Sequence, residues 1–222
     1  MIIKPLASLT KNLQILLKIN IAITASAVLV GFYNYHSYAN LPSGVDFKEA
    51  FLPSDVATTI VGLLQFIFFI ILGITFLRWI HRTNKNIGAL SGVQLRFTSG
   101  WSVGWYFIPI ANLFKPYQAM KELWYVSHKN ESTTDSLLNR WWFLWIISNF
   151  VGRLAFKLIM LANDSESYMT STIAYMVSDG LDLMLNIVAL ILVTRIGMAY
   201  SRNIIEKIDT PDQGLTGIPP LP

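Results

Sequence analysis

Asn149, Arg153 and Lys157 recur every four residues, and Asp179, Asp182 and Asn186 follow at spacings of three and four. At about 100° per residue the first set covers an arc of about 80° on a helix and the second about 60°, so each set faces one direction. Side chains of these types can pair as ions, relay a proton or line a polar path. All six lie in stretches that are otherwise apolar. A charge at the centre of a membrane span costs roughly 2.5 to 3.5 kcal/mol on insertion scales, so such groups are expected to face the bundle and pair. Counting depth from a boundary at Ala162 and Ile173 sets Lys157 against Asp179, Arg153 against Asp182 and Asn149 against Asn186. The expectation is a polar ladder joining two neighbouring helices, acting as structural glue or as a polar pathway.

Other chemistry has few footholds. The chain has no cysteine, which excludes disulfides, thiolate metal sites and thioether lipid anchors. Its three histidines are His36, His81 and His128, and they lack the spacing of a metal or haem site. No H-E-x-x-H, phosphate loop or nucleophile elbow occurs. No catalytic, cofactor-binding or metal-binding residue is assigned, and the expectation is a non-enzymatic protein.

A second constellation runs from Trp79 to Ser127. Its middle, Phe107-Ile108-Pro109-Ile110-Ala111-Asn112-Leu113-Phe114-Lys115-Pro116, reads as a helix broken twice, because each proline removes a backbone donor and disturbs the turn before it. Freed carbonyls at membrane depth need protein or a wet cavity beside them, and Asn112 stands between the two prolines to serve one of them or a ligand. After Pro116, an amphipathic interfacial helix is predicted with Met120, Leu123 and Trp124 on one face and Lys121 toward water. The whole segment, about 98–127, is read as re-entrant or interfacial.

The fixed spacings here carry a resemblance. Trp79-x-x-Arg82-x-x-x-Asn86, then Gly100-Trp101 and Trp105, then Pro109-x-x-Asn112-Leu113-x-x-Pro116, then Glu122-x-Trp124-x-x-Ser127 and the Trp141-Trp142 pair resemble the signature of a family of bacterial integral-membrane proteins known as a domain of unknown function. The resemblance implies a multi-span bacterial protein. It marks a location for a site and carries over no catalytic role.

The elements that must position these residues follow from composition. Of the 222 residues 53% are hydrophobic and 14% charged, against about 25% charged in a soluble average, so the chain is built for lipid. Four apolar stretches reach the roughly 20 residues that a crossing requires: about 13–35, 56–80, 141–161 and 172–198, with Ser54 as N-cap of the second. The expected fold is an all-α membrane protein, one helical domain over 1–209, with a disordered Pro/Gly-rich tail at 210–222. Ala25-Ser26-Ala27 resembles a signal-peptidase site, but the apolar run continues past it and Lys18 interrupts the h-region, so a span is preferred. Taking Gly100 to Phe114 as a fifth span is the rival topology.

Orientation comes from the basic residues. With four spans and an internal N-terminus, Lys4, Lys11, Lys18, Arg78, Arg82, Lys85, Arg96, Lys115, Lys121, Lys129, Arg140, Arg195, Arg202 and Lys207 are cytoplasmic, while Lys48 is alone among acidic residues outside. A fifth span would erase that bias. All seven tryptophans then gather near the cytoplasmic interface as an aromatic belt. The net charge of +4 is thereby explained by insertion rather than by nucleic acid. The expected protein lies in a bacterial inner membrane with both termini cytoplasmic and contacts membrane lipid. It works as a homo-oligomer or with a membrane-protein partner, as a channel- or transporter-like or accessory subunit. The alternative is a lipid- or envelope-sensing protein that binds anionic headgroups through Arg82, Lys85, Arg96, Lys115 and Lys121.

Overall fold

The structure is a computed structural model that describes residues 6–42, 50–91, 95–129 and 136–209; the tail at 210–222 lies outside them. Four long helices carry the fold: α1 (Ala7–Ala39), α2 (Pro53–Ser91), α5 (Ser136–Leu161) and α6 (Ser165–Asp209). Each is long and apolar enough to cross a membrane, so the chain is a multi-pass helical membrane protein. Between α2 and α5 lie the short α3 (Trp101–Gly104), 3-10 turns at Trp105–Phe107 and Ala111–Leu113, and α4 (Lys115–Ser127). No continuous helix crosses 101–114, which excludes the fifth span.

Helix starts show how local chemistry sets the boundaries. Asp164 caps α6: its carboxylate accepts the Ser167 amide at 2.7 Å, and the Ser167 hydroxyl accepts the Asp164 amide at 3.2 Å. These reciprocal bonds satisfy two otherwise orphaned donors. The backbone bond holds the Asp164 carboxyl below the usual carboxylate range. Ser54 is not the cap of α2. The helix starts at Pro53, and Asp55 reaches back to accept the Leu52 amide at 2.8 Å, because proline's fixed φ and missing N–H suit a first helical position.

α6 is the axis of the bundle, packing along α1 on one side and α5 on the other, while α2 packs on α1. Small residues permit the close approaches. A Cβ on Gly197 would come within 2.8 Å of Thr10 Cγ2, and one on Gly31 within 2.6 Å of Met176 Cγ. Such contacts substitute for the hydrophobic drive that lipid cannot supply. The most deeply buried side chains, including Leu13, Trp79, Met120, Leu123, Trp124, Leu192 and Ile196, collect at the tryptophan-rich end. Around the midspan of α2 the packing thins, leaving Leu63, Phe66 and Phe69 exposed.

Candidate functional site

Two polar systems stand out, one along the spans and one at the tryptophan-rich end. Along the spans, Gln65 Nε2 of α2 donates to Asp179 Oδ1 of α6 at 2.7 Å. The Ser148 hydroxyl of α5 donates to Asp182 Oδ1. Asn186 Nδ2 returns to the Asp182 carbonyl at 2.7 Å, within its own helix. Farther down, Asn86 Nδ2 of α2 donates to the Tyr200 hydroxyl of α6 at 2.9 Å. At the opposite end Asn34 and Tyr38 of α1 both donate to the Asp55 carboxylate at 3.0 Å. A polar seam thus follows the face of α6 that looks toward α2 and α5.

The expected ladder is corrected in its pairing. Asp179, Asp182 and Asn186 share the inward stripe, but Asn149, Arg153 and Lys157 are all exposed. Asn149 donates to the Trp145 carbonyl at 2.7 Å, and neither Arg153 nor Lys157 has a hydrogen-bond or ion-pair partner among the described residues. The reason is register and rotation. Ser148 meets Asp182, and a Cβ on Gly152 would lie 3.3 Å from Ser178 Oγ, so position numbers across the two helices sum to 330. The depth count assumed about 335. α6 begins at Ser165, seven residues before the expected 172, so its residues lie level with α5 earlier than the depth count assumed, and its first turn still extends past the end of α5. At about 100° per residue, Arg153 and Lys157 lie about 140° and 180° around α5 from Ser148. Gln65 and Ser148 escaped the sequence reading, although Gln65 is the one strongly polar residue between Thr59 and Thr75.

At the tryptophan-rich end the motif residues converge on one cap. Trp79 is fully buried and its indole donates to Thr10 Oγ1 at 3.0 Å. Arg82 is half-buried on the same helix. Glu122 accepts the amides of Arg96 and Phe97, the latter at 3.1 Å, while Asn84 donates to the Phe97 carbonyl at 3.1 Å. Trp124, 2% exposed, lies against His128 with ring centroids 4.3 Å apart. Ser127 binds back to the Trp124 carbonyl at 2.9 Å, and its own carbonyl accepts Asn203 Nδ2 of α6 at 2.8 Å. Trp79, Trp124, Trp141 and Trp142 are buried, so they are protein core rather than a lipid-facing ring.

The segment around the prolines is a compact turn. Pro109 sits at an exposed tip, whereas Pro116 is buried in the first turn of α4 and starts that helix instead of breaking one. Between them Ile110 has φ 67 and ψ −56, and the Ala111 amide bonds the Pro109 carbonyl at 2.8 Å. This is the rare positive-φ γ-turn, strained for a β-branched residue. Around it Phe107 is 71% exposed, Ile110 75% and Leu113 54%. The turn is clamped behind by Trp142, whose indole donates to the Leu113 carbonyl at 3.0 Å. The Lys115 ammonium lies 5.7 to 5.9 Å from the rings of Phe97, Trp105 and Phe114, within cation–π range. Trp105 Nε1, the Tyr106 hydroxyl and Asn112 Oδ1 are buried without a hydrogen-bond partner, and burial pushes the Tyr106 phenol well above its ordinary range.

A family described as Domain of unknown function (DUF4328) matches residues 45–197. That range holds α2 to most of α6, with Gln65, Ser148, Asp179 and Asp182 and the segment from Trp79 to Ser127, while Thr10, Asn34, Tyr38, Tyr200 and Asn203 fall outside it. No curated protein and no solved structure matches the chain.

Proposed function

From the premise that the chain belongs to the DUF4328 family, we propose that it is a non-enzymatic channel- or transporter-like subunit of a membrane assembly whose polar path runs along the α2–α5–α6 seam. The observation that carries this reading is the pair of intramembrane carboxylates, Asp179 and Asp182, each bound to a neutral side chain on a different neighbouring helix. Ionisable groups kept at that depth are costly, and a site that handles a cation or proton gives them a use. The distribution of Lys and Arg supports placing both termini and the tryptophan-rich cap in the cytoplasm of a bacterium. The exposed Phe107, Ile110 and Leu113 support an interfacial position for the turn, with these side chains in the lipid headgroup region. One chain of four helices encloses little space, which favours an oligomer.

The alternative, headgroup sensing through the basic face, has less support. Lys115 and Lys121 are turned onto aromatic rings, Lys121 lying 5.6 Å from Tyr125. The test is flux of protons, sodium and potassium in proteoliposomes, compared with Asp179→Asn and Asp182→Asn. The reading expects cation flux that falls at least tenfold in either variant. Silent wild-type vesicles that instead recruit the protein according to anionic lipid content would favour the alternative. Single cysteines at Lys48 and Ser201, probed on intact cells with an impermeant thiol reagent, test the orientation: labelling at Lys48 only is expected, and labelling at Ser201 only would invert it.

A further inference from the structure

Arg153 and Asp179 lie at similar depth in the spans, yet the fold of one chain keeps them apart. Arg153 stands eight residues from the end of α5 at Leu161 and eight from Trp145, well within the hydrocarbon region. It and Lys157 project from the side of α5 opposite the Ser148–Gly152–Ala155 stripe that packs on α6. Phe150, 65% exposed, and Ile146, 37% exposed, share that outward face. Charged side chains so placed are expected to meet protein rather than lipid.

The acids lie behind the thinly packed midspan of α2. Gln65, Phe69, Leu72 and Phe76 form one stripe of α2. Gln65 closes the stripe onto Asp179, and Phe76 closes it onto α5 through Trp141, with ring centroids 6.2 Å apart. Between those closures Phe69 is 70% exposed. The α2–α6 pairs Gln65–Asp179 and Asn86–Tyr200 share an offset of 114 residues, which puts Phe69 level with position 183, beside Asp182. Asp182 is half-buried there, and its carboxylate accepts from the neutral Ser148 hydroxyl. By the 330 register Arg153 is level with position 177, two residues from Asp179, or about 3 Å of rise.

We propose that a second copy of this chain docks the Arg153–Lys157 face of its α5 into the seam between α2 and α5, bringing Arg153 to Asp179, with Lys157 one turn nearer the end of the helix. This rests on the oligomeric reading above and names its interface. The contact joins two different surfaces, because α5 against α5 would set Arg153 against Arg153. Copies that share one membrane orientation are related by rotation about its normal, so such head-to-tail contacts form a ring where that rotation closes.

The chain has no cysteine, so Phe150→Cys and Phe69→Cys can be paired in an otherwise thiol-free protein. Treated with a short bis-maleimide in native membranes, the double variant should give dimers and a ladder above them, and either single variant should stay monomeric on denaturing gels. Dimers from Phe150→Cys alone, or no product from the double variant, overturn the interface. Native mass spectrometry separates the two levels: an oligomer that fails to cross-link here leaves the oligomeric reading standing, and a monomer removes both. As a second measure, the Arg153→Leu, Lys157→Leu double variant should shift the oligomer to monomer while its circular dichroism stays helical. An unchanged oligomer mass would also overturn the proposal.

Discussion

Gln65 of α2 and Asp179 of α6 meet at 2.7 Å with an offset of 114 residues, and Asn86 and Tyr200 meet with the same offset 21 residues farther along both helices. α2 and α6 therefore run parallel, held by polar side chains where their backbones barely touch. Each pair should be energetically coupled. In detergent melts, the Gln65→Leu, Asp179→Leu cycle is expected to be non-additive by about 0.5 to 3 kcal/mol. The Gln65→Leu single variant should be the worse background, since it leaves a carboxylate half-buried without its donor.

Glu122 holds the turn at 96–97 by accepting two backbone amides. Glu122→Ala orphans both, at about 1 to 3 kcal/mol for each group that stays buried. Hydrogen exchange should rise first at Arg96 and Phe97 and spare Asp179 and Asp182. Glu122→Gln, which keeps an acceptor, should fall between.

Gly197 faces Thr10, whose hydroxyl also accepts the Trp79 indole. A methyl at 2.8 Å from Thr10 Cγ2 must push a stiff β-branched side chain. Gly197→Ala should therefore cost about 1 to 3 kcal/mol and lower the thermal midpoint. Gly62→Ala, where no atom lies within 4 Å, should be neutral or slightly stabilising.

Ile110 occupies a backbone region that glycine reaches freely. Ile110→Gly should raise stability by about 1 kcal/mol or more through lost strain. If the exposed Ile110 side chain serves the lipid surface, the same variant should quench less with lipid-bound bromine probes read from nearby tryptophans. A drop in stability would mean that the turn is not strained in the intact membrane protein.

The cap at Asp164 predicts a pH effect with a defined sign. Its folded-state carboxyl titrates below the ordinary 3.8, so its contribution to stability is fully present above that pH and is lost as pH falls through the lower folded value. The difference in melting temperature between wild type and Asp164→Ala should be constant near neutrality and shrink in strong acid.

Sequence by itself determined the four long crossing helices and their approximate cores, and it left a fifth span as the rival that the broken backbone of 101–114 removed. Apolar length and charge bias are local or additive properties that need no partner to be read. It also marked Asp179, Asp182 and Asn186 as one face, because 3.6-residue periodicity is a property of a single helix. Tertiary structure alone decided what that face meets. α6 begins at Ser165 rather than near 172, after a connection of only residues 162–164, and this shifted the register of α5 against it by about five residues. Ser148 thereby took the place expected for Arg153, and Arg153 and Lys157 turned away from the seam. The same holds at the other end: the motif from Trp79 to Ser127 was legible as a unit, but its folding into a cap depends on long-range partners such as Thr10, Asn203 and Tyr200. Those lie outside the motif and become neighbours only when α1 and α6 pack.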